Sequence, residues 1–298
     1  MKLKNLDTFI KIAKSKSHKV IAIAAAEDDN VLSAVTEAKK QGIASAILVG
    51  NKDKIHKIAD EENLDIAGLD IIEENIPALA APKAVSLIRD GKAHILMKGM
   101  VGTADFLRAV LNKENGLREG DLLSHIGFFE IDTYHKVIAL TDAAQNIAPD
   151  LKEKTDIIKN AVKAFHRFGV DNPKIGLLAP VEVVNPKMVS TTDAALITMM
   201  NKRGQIKGAI IDGPLAFDNI VSKEAAEHKG LLSDVAGDTD LIVAPNIETA
   251  NALYKSFTYF GKATVAAIIL GAVAPIVLTS RSDSDRSKLM SIALAASY

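Results

Sequence analysis

The stretch KVIAIAAAEDDNVLSAVTEAKKQGIASAILVG (19–50) contains two apolar runs, KVIAIAAA (19–26) and ASAILVG (44–50), which flank an amphipathic segment. Each run has the length and composition of a strand that is covered on both faces. The segment between the runs begins with acidic residues and ends at Gly42, as helices commonly do. The order strand, helix, strand predicts a parallel βαβ unit.

The same alternation continues along the chain, and it predicts an α/β fold throughout. Further apolar runs precede helical segments or end in polar loops; they are HILM (94–97), VIAL (137–140), KIGLLAP (174–180), GAII (208–211), DLIVA (240–244), TVAAIIL (264–270) and PIVLTS (275–280). The polar stretch TDAAQNIAPD (141–150) interrupts the pattern and predicts a boundary between two α/β domains.

Composition excludes several classes of protein. The 298 residues carry a formal net charge of −1, so a nonspecific nucleic-acid binder is not expected. Cysteine is absent, which rules out disulfides, thiolate metal sites and cysteine nucleophiles. The N-terminal segment does not resemble a signal peptide, and no apolar run approaches the roughly 20 residues that span a bilayer. We therefore expect a cytoplasmic protein without membrane or nucleic-acid partners.

Polar residues collect where the predicted strands end. Ligands of parallel α/β sheets bind outside this edge, and the candidates there are Lys98, Thr103, Thr141, Asp212, Asn246, Glu248, Thr249, Ser280 and Arg281. Some of them have a purely structural alternative. Thr103, Thr249 and Ser284 are also suited to cap helices, and Asp212-Gly213-Pro214 to form a turn.

The C-terminal cluster TSRSDSDRSKL (279–289) has the groups needed for chemistry on a phosphate. An arginine fork fits a phosphate, a serine hydroxyl can donate to an oxyanion, and an aspartate can accept a proton. No phosphate-binding loop or dinucleotide fingerprint follows a strand. The seven histidines show no metal-ligand spacing, so no metal site is expected.

Several stretches together resemble the phosphate acetyl/butyryltransferase family. They are MKGMVGTADFLRAVL (97–111), DLKEKTDIIKNAV (150–162), STTDAALITMM (190–200), IIDGPLAFDNIVS (210–222), GDTDLIVAPNIETANALYKSFTYFG (237–261) and AAIILGAVAPIVLTSRSDSDRSKLMSIALA (266–295). The similarity covers most of the chain. The forms GPLAFD, PNIETANALYK and TSRSDS are closer to the butyryl branch than to the acetyl branch.

The resemblance implies a fold and a reaction. The fold would be a two-domain, three-layer αβα sandwich similar to the isocitrate and isopropylmalate dehydrogenases, with the active site in the cleft between the domains. Residues 1–140 and a returning segment, 275–298, would form the first domain, and 141–274 the second. The reaction would be butanoyl-CoA plus phosphate giving CoA plus butanoyl phosphate. Coenzyme A would be a substrate, with no tightly bound cofactor, and the enzyme would be a homodimer or larger homo-oligomer.

The resemblance also implies roles for individual residues. Arg281 would hold phosphate and Ser280 would assist the reacting carbonyl or thiol. The acetyl branch has an aspartate base where this chain has Ser287, so Asp283, or else Asp285, becomes the candidate base. Contacts to coenzyme A or phosphate would come from the residues after the other strands, namely Lys98, Thr103, Thr141, Asp212, Asn246, Glu248, Thr249 and Asn251.

Three alternatives stay open at this point. The acyl group could be acetyl, or a range of short chains, because one methylene changes the free energy of discrimination by only about 1–3 kcal/mol. A decarboxylating dehydrogenase of the same fold would need an arginine cluster that the sequence lacks. Loss of the aspartate at position 287 is compatible with a catalytically inactive regulatory protein that binds coenzyme A or acyl phosphate.

Overall fold

The computed structural model of the protein describes residues 3–120, 122–278 and 284–298. The chain forms two compact units. Unit 1 comprises Met1–Leu6 and Ser124–Val265, and unit 2 comprises Asp7–Leu123 and Ala266–Tyr298. Both units are mixed α/β structures, so the α/β class predicted from the sequence is confirmed.

The described strands and helices alternate along the chain. The strands are β1 (Lys19–Ala24), β2 (Ala44–Gly50), β3 (Asp70–Glu73), β4 (Ile95–Lys98), β5 (Ser124–Glu130), β6 (Ile138–Thr141), β7 (Lys174–Leu178), β8 (Ile210–Leu215), β9 (Leu241–Val243), β10 (Thr264–Leu270) and β11 (Ile276–Val277). The helices are α1 (Asp7–Ser15), α2 (Asp29–Lys40), α3 (Lys52–Glu61), α4 (Pro77–Arg89), α5 (Thr103–Val110), α6 (Leu151–Arg167), α7 (Val189–Lys202), α8 (Phe217–Val221), α9 (Lys223–His228), α10 (Ile247–Tyr259) and α11 (Asp285–Ser297). None of the helices in the described part of the chain has both the length and the apolar character needed to cross a bilayer.

The boundaries between the units differ from the predicted division at 140/141 and 274/275. They fall at 6/7, 123/124 and 265/266, so that Met1–Leu6 belongs to unit 1 and is separated from Asp7–Leu123. The reason is strand pairing: β5 pairs with β6 in antiparallel fashion, and β6 pairs in turn with β9. Both β5 and β6 therefore belong to unit 1, although the polar stretch that follows them in sequence suggested a domain boundary there.

In unit 2 the strands follow the order β3-β2-β1-β4-β11-β10. All neighbours are parallel except β10, which runs antiparallel to β11. The predicted βαβ unit at 19–50 is present. Its helix is capped by Asp28, whose Oδ1 accepts the N–H of Val31 at 2.9 Å, and the chain leaves the helix at Gly42 with φ of 68°.

Helix α11 completes unit 2. Residues Ser287–Ser297 are all buried, and the helix packs against α1 and α2. The hydroxyl of Ser291 accepts the N–H of Ala267 in β10 at 3.0 Å and donates to the carbonyl of Ser287 at 2.9 Å. The last described helix is thus a core element of unit 2.

In unit 1 the strands follow the order β5-β6-β9-β7-β8. From β6 to β8 all neighbours are parallel. Helix α6 covers this sheet with an aromatic contact: the ring of Phe128 lies 5.3 Å from that of Phe165 and 5.7 Å from that of Phe168, centroid to centroid. Offset and edge-on aromatic pairs at this spacing add to the stabilisation from burial.

The expectation that Asp212-Gly213-Pro214 forms a turn after its strand is wrong. Strand β8 continues through these residues to Leu215, which lies opposite Leu178 of β7. A proline is compatible with this position because β8 is an edge strand, where a missing N–H leaves no ladder hydrogen bond unmade.

Charged residues at the N-terminal edge of the unit 1 sheet form an edge network of His135, Lys136, Lys174, Asp238 and Asp240. The buried Lys136 Nζ lies 2.5 Å from Asp240 Oδ1 and 3.0 Å from Asp238 Oδ1. Lys174 Nζ and His135 Nε2 are each 2.9 Å from the Asp238 carboxylate.

Two groups near the edge network titrate away from their ordinary range. Burial alone would raise the pKa of Asp238, but hydrogen bonds from Lys174, His135 and Lys136 outweigh it and hold that pKa well below its usual range. Burial of the Tyr134 phenol, together with the charges of Asp238 and Asp240, raises the pKa of Tyr134 well above its usual value.

Candidate active site

The carboxyl ends of β6, β9, β7 and β8 lie at one edge of the unit 1 sheet. Helices α6, α7, α8 and α10 begin near this edge, each after one of these strands. In parallel α/β sheets this edge is where ligands bind, because the strand ends leave crevices and the helix N-termini point their N–H groups towards them.

A cavity of about 1010 Å³ opens at this edge. Its wall is formed by Ala148, Pro149, Asp150, Leu151, Lys154, Leu178, Ala179, Pro180, Val189, Ser190, Asp193, Ala216, Phe217, Pro245, Asn246, Thr249 and Leu253. Most of these side chains are apolar. A large, mainly apolar cavity with a few polar groups is the usual form of a small-molecule site.

Two helix caps fix the polar part of this wall. Asp150 Oδ1 accepts the N–H of Glu153 at 2.8 Å, and Glu153 Oε2 accepts the N–H of Asp150 at 2.9 Å, which is a capping box at the start of α6. At the start of α10, Asn246 Oδ1 accepts the N–H of Thr249 at 3.0 Å and its hydroxyl at 2.7 Å. Two of the predicted binding residues, Asn246 and Thr249, therefore line the cavity, but the cap of α10 is Asn246 and not Thr249.

A buried ion pair crosses the cavity wall between α6 and α7. Lys154 Nζ lies 2.6 Å from Asp193 Oδ2, and the side chains are only 7% and 13% exposed. Neither residue was among the sequence candidates, although both lie in stretches that carry the family resemblance. The sequence does show that Lys154 stands among the positions of α6 that are otherwise apolar. Its partner lies 39 residues away and could not be inferred from spacing.

The other predicted residues of unit 1 do not line the cavity. The hydroxyl of the buried Thr141 donates to the carbonyl of His125 at 2.7 Å, which is a structural role. Asp212 lies within β8, where its Oδ1 accepts the N–H of Gly213. Glu248 is exposed, and Asn251 Nδ2 donates to the carbonyl of Ala143 at 3.2 Å.

Unit 2 carries the predicted residues Lys98, Thr103 and Asp285. Lys98 Nζ donates to the carbonyls of Gly99 and Val101, at 3.0 and 3.1 Å. Thr103 is the first residue of α5 and does not cap it; the cap position is held by Gly102. Asp285 is exposed and is the first residue of α11, which is capped by Ser284 as predicted.

Ser280, Arg281 and Asp283 lie outside the described residues. The strand that leads to them, β11, runs parallel to β4 with Val277 opposite Met97. Ser287, at the position of the acetyl-branch aspartate, is buried in the first turn of α11, where its N–H donates to Ser284 Oγ at 3.2 Å.

One further carboxylate was missed by the sequence analysis. Glu27 follows β1, and its Oε1 accepts the N–H of Asn51 at 2.7 Å. Its Oε2 is buried without a hydrogen-bond partner among the described residues. No group of three or more metal-ligating side chains occurs in the ranges that the structure describes.

Comparisons with known proteins agree over nearly the whole chain. A sequence model of the family described as phosphate acetyl/butaryl transferase matches residues 6–81 and 75–296. A phosphate butyryltransferase of Clostridium acetobutylicum is 50% identical over 99% of this chain and 98% of its own length. A phosphate acetyltransferase of Thermotoga maritima is 39% identical over 98% of this chain and 99% of its own.

Solved structures resemble this chain as well, one in sequence and fold and another in fold alone. A branched-chain phosphotransacylase from Enterococcus faecalis V583 superposes with a TM-score of 0.84 at 35% identity, covering 94% of this chain and 98% of its own. A 4-hydroxythreonine-4-phosphate dehydrogenase from Burkholderia phymatum has a TM-score of 0.58 at 13% identity, over 95% of this chain and 98% of its own, and is similar in fold alone.

These relatives define the class as acyltransferases that use phosphate. The chain belongs to the phosphate acetyl/butaryl transferase family, which confirms the resemblance seen in the sequence. It is accordingly a phosphate acyltransferase.

Proposed function

We propose that the protein transfers a butanoyl group between coenzyme A and phosphate: butanoyl-CoA plus phosphate gives CoA plus butanoyl phosphate. The observation that carries this proposal is 50% identity, over nearly the full length of both chains, to a relative named phosphate butyryltransferase. The mainly apolar cavity wall also supports a substrate with an uncharged acyl thioester end.

The transfer proceeds in a ternary complex, in which a phosphate oxygen attacks the thioester carbonyl directly. The chain has no cysteine to form an acyl-enzyme. In the reverse direction the CoA thiol attacks the acyl phosphate, and a carboxylate accepts the thiol proton. The two α/β domains are of the isocitrate dehydrogenase type. Coenzyme A is a substrate and no cofactor is tightly bound. The same proposal includes a cytoplasmic location and assembly of the protein into a homodimer or a larger homo-oligomer.

The catalytic roles follow the family resemblance. Arg281 binds phosphate, and Ser280 donates to the oxyanion of the tetrahedral intermediate, an effect worth roughly 3 kcal/mol per donor. Asp283 is the first candidate for the base and Asp285 the second. The exposure of Asp285 beside the N-terminus of α11 supports keeping it as a candidate, and Ser287 has no carboxylate to take this role.

The test is phosphate-dependent release of the free thiol from acetyl-, propanoyl- and butanoyl-CoA. We expect butanoyl-CoA to give the highest kcat/KM and no release without phosphate. A maximum for acetyl-CoA would favour the second candidate, a phosphate acetyltransferase, which the 39% identical relative supports. No release from any thioester would contradict the enzyme assignment and favour a binding role.

Variants test the residues separately. Arg281→Ala should raise the KM for phosphate and lower kcat, whereas Arg286→Ala is a matched control because Arg286 is exposed and pairs with Asp7 at 3.2 Å on the surface. Asp283→Asn and Asp285→Asn, assayed singly, distinguish the two candidate bases. Full activity in both would exclude both.

A further inference from the structure

The ammonium group of Lys154 has more hydrogen-bond donors than acceptors among the residues that the structure describes. The residue is 5% exposed and forms part of the cavity wall. Within the described ranges, its Nζ has a single hydrogen-bond acceptor, Asp193 Oδ2. An ammonium group carries three N–H donors, and buried donors without acceptors are unfavourable. The remaining donors therefore call for an acceptor from a molecule in the cavity.

The charge of the pair indicates what kind of acceptor fits. Asp193 neutralises Lys154 at 2.6 Å, so the wall has a strong donor but little net positive charge. Around the pair, the wall is built largely from alanine, proline, leucine, valine and phenylalanine side chains. Such a surface suits a neutral carbonyl within an apolar ligand, whereas a phosphate group would be better held by uncompensated cations.

The size of the cavity indicates how much of the substrate it takes. Its volume of about 1010 Å³ matches the range that accepts drug-sized ligands. A four-carbon acyl chain would fill only a small part of it. The pantetheine arm of coenzyme A has the fitting chemistry, since it is long and uncharged, with methyl and methylene groups and two amide carbonyls.

We propose that this cavity binds the pantetheine arm of the acyl-CoA, and that Lys154, oriented by Asp193, donates a hydrogen bond to an amide carbonyl of that arm. The assignment rests on the proposed function for the identity of the substrate. Lys154 is then a binding residue and Asp193 a positioning residue.

The variants are chosen so that folding and binding can be separated. Lys154→Met keeps the apolar stem and removes the donors, but it leaves Asp193 buried without its partner. The double variant K154M/D193L removes the whole pair, which is the better tolerated change for buried ion pairs. Lys152→Met is the matched control, because Lys152 lies on the same helix, is 70% exposed, and pairs with Asp156 outside the cavity.

The primary measurement is the Kd of CoA by titration calorimetry, which does not depend on turnover. We expect the Kd to rise about 10- to 100-fold in Lys154→Met and in the double variant, the range for loss of a hydrogen bond to a charged group. Lys152→Met should bind as the wild type does. In kinetics, Asp193→Asn should raise the KM for butanoyl-CoA with little change in kcat, since a loss of uniform binding acts on KM. The KM for phosphate should stay within about twofold.

A truncated substrate identifies the part of coenzyme A that is contacted. With S-butanoyl-pantetheine, the ratio of wild-type to variant kcat/KM should be as large as with butanoyl-CoA. A ratio near one with the truncated substrate would mean that Lys154 binds the nucleotide phosphates, and a raised KM for phosphate would mean that it binds the second substrate. Either result overturns the proposal.

Failure of this inference is distinguishable from failure of the proposed function. Unchanged CoA affinity in the folded double variant overturns the pantetheine assignment even if butanoyl transfer is intact. Absence of thiol release by the wild type contradicts the proposed reaction, while the calorimetric comparison still decides whether Lys154 binds coenzyme A. If Lys154→Met does not fold, the double variant carries the binding test.

Discussion

Lys136→Met is the sharpest test of the edge network at the N-terminal end of the unit 1 sheet. The Lys136 side chain is 3% exposed and its Nζ contacts both Asp238 and Asp240. Methionine preserves the apolar stem and removes the charge. Removing one partner of a buried ion pair costs about 3–5 kcal/mol. We expect the lower end, about 3 kcal/mol, because Lys174 and His135 still contact Asp238.

The assay is unfolding by urea and by heat at pH 7. For a unit of about 150 residues, 3 kcal/mol corresponds to a fall in Tm of about 6–12 °C. Lys159→Met is the control, since Lys159 is 56% exposed and its pair with Asp156 at 3.3 Å is a surface contact, worth about 0–1 kcal/mol. Equal losses in the two variants would refute the view that the edge network stabilises unit 1.

Measurement across pH adds a second criterion. The pKa of Asp238 is depressed in the folded state below its ordinary value of 3.8. Its contribution to stability is therefore fully present above that value and is lost as the pH falls through the folded-state pKa. Because Lys136 helps to depress the pKa, the difference between wild type and Lys136→Met should stay constant above the ordinary value of 3.8 and shrink only as the pH falls below it, towards the folded-state pKa. A difference that stays constant as the pH falls well below 3.8 would contradict a contribution of Lys136 to the lowered pKa of Asp238.

Three further predictions concern other parts of the molecule. Gly99→Ala places a Cβ 2.1 Å from the carbonyl oxygen of Ala25, so we expect the free energy of unfolding in urea to fall by about 1–3 kcal/mol. Gly120→Ala is the control and should be neutral, because no atom lies within 4 Å of its Cβ. Similar losses in both variants would contradict the close approach at Gly99. Asp150→Ala removes the cap of α6 and should lower stability by about 0.5–2 kcal/mol, whereas an unchanged urea midpoint would show that the cap is dispensable. The pKa of Tyr134 is raised in the folded state, so its contribution is present below its ordinary value of 10.0 and is lost as the pH rises towards the folded-state value; Tyr134→Phe should flatten the alkaline fall in Tm, and an equally steep fall would contradict this.

The sequence predicted the strand and helix alternation because buried strands and capped helices leave strong local patterns. It missed β3 because Asp70–Glu73 is only four residues long and has no buried position. It also placed Asp212-Gly213-Pro214 in a turn, since the composition of this tripeptide is typical of turns. Only the pairing with β7 identifies it as edge strand, and such pairing is a long-range property.

The candidate site also contains both residues that the sequence predicted and residues that it did not. Asn246 and Thr249 were found because they follow a strand, and strand ends are local features. Lys154 and Asp193 were not, because their meeting depends on how α6 and α7 pack. Family resemblance marked the stretches that contain them without giving a reason. The ion pair in the cavity wall is seen only in the three-dimensional arrangement.

Unit 2 is formed by two separate stretches of the chain, Asp7–Leu123 and Ala266–Tyr298. This arrangement has a consequence for the folding of the chain during its synthesis on the ribosome. Residues 124–265 of unit 1 are continuous, whereas the first part of unit 2 needs α11, which packs on α1 and α2. At the usual rate of synthesis, the interval between Leu123 and the end of α11 is on the order of 10–30 s. During this interval the apolar surface that α11 later covers is exposed on the nascent chain, so the first half of unit 2 is the segment most in need of chaperone protection.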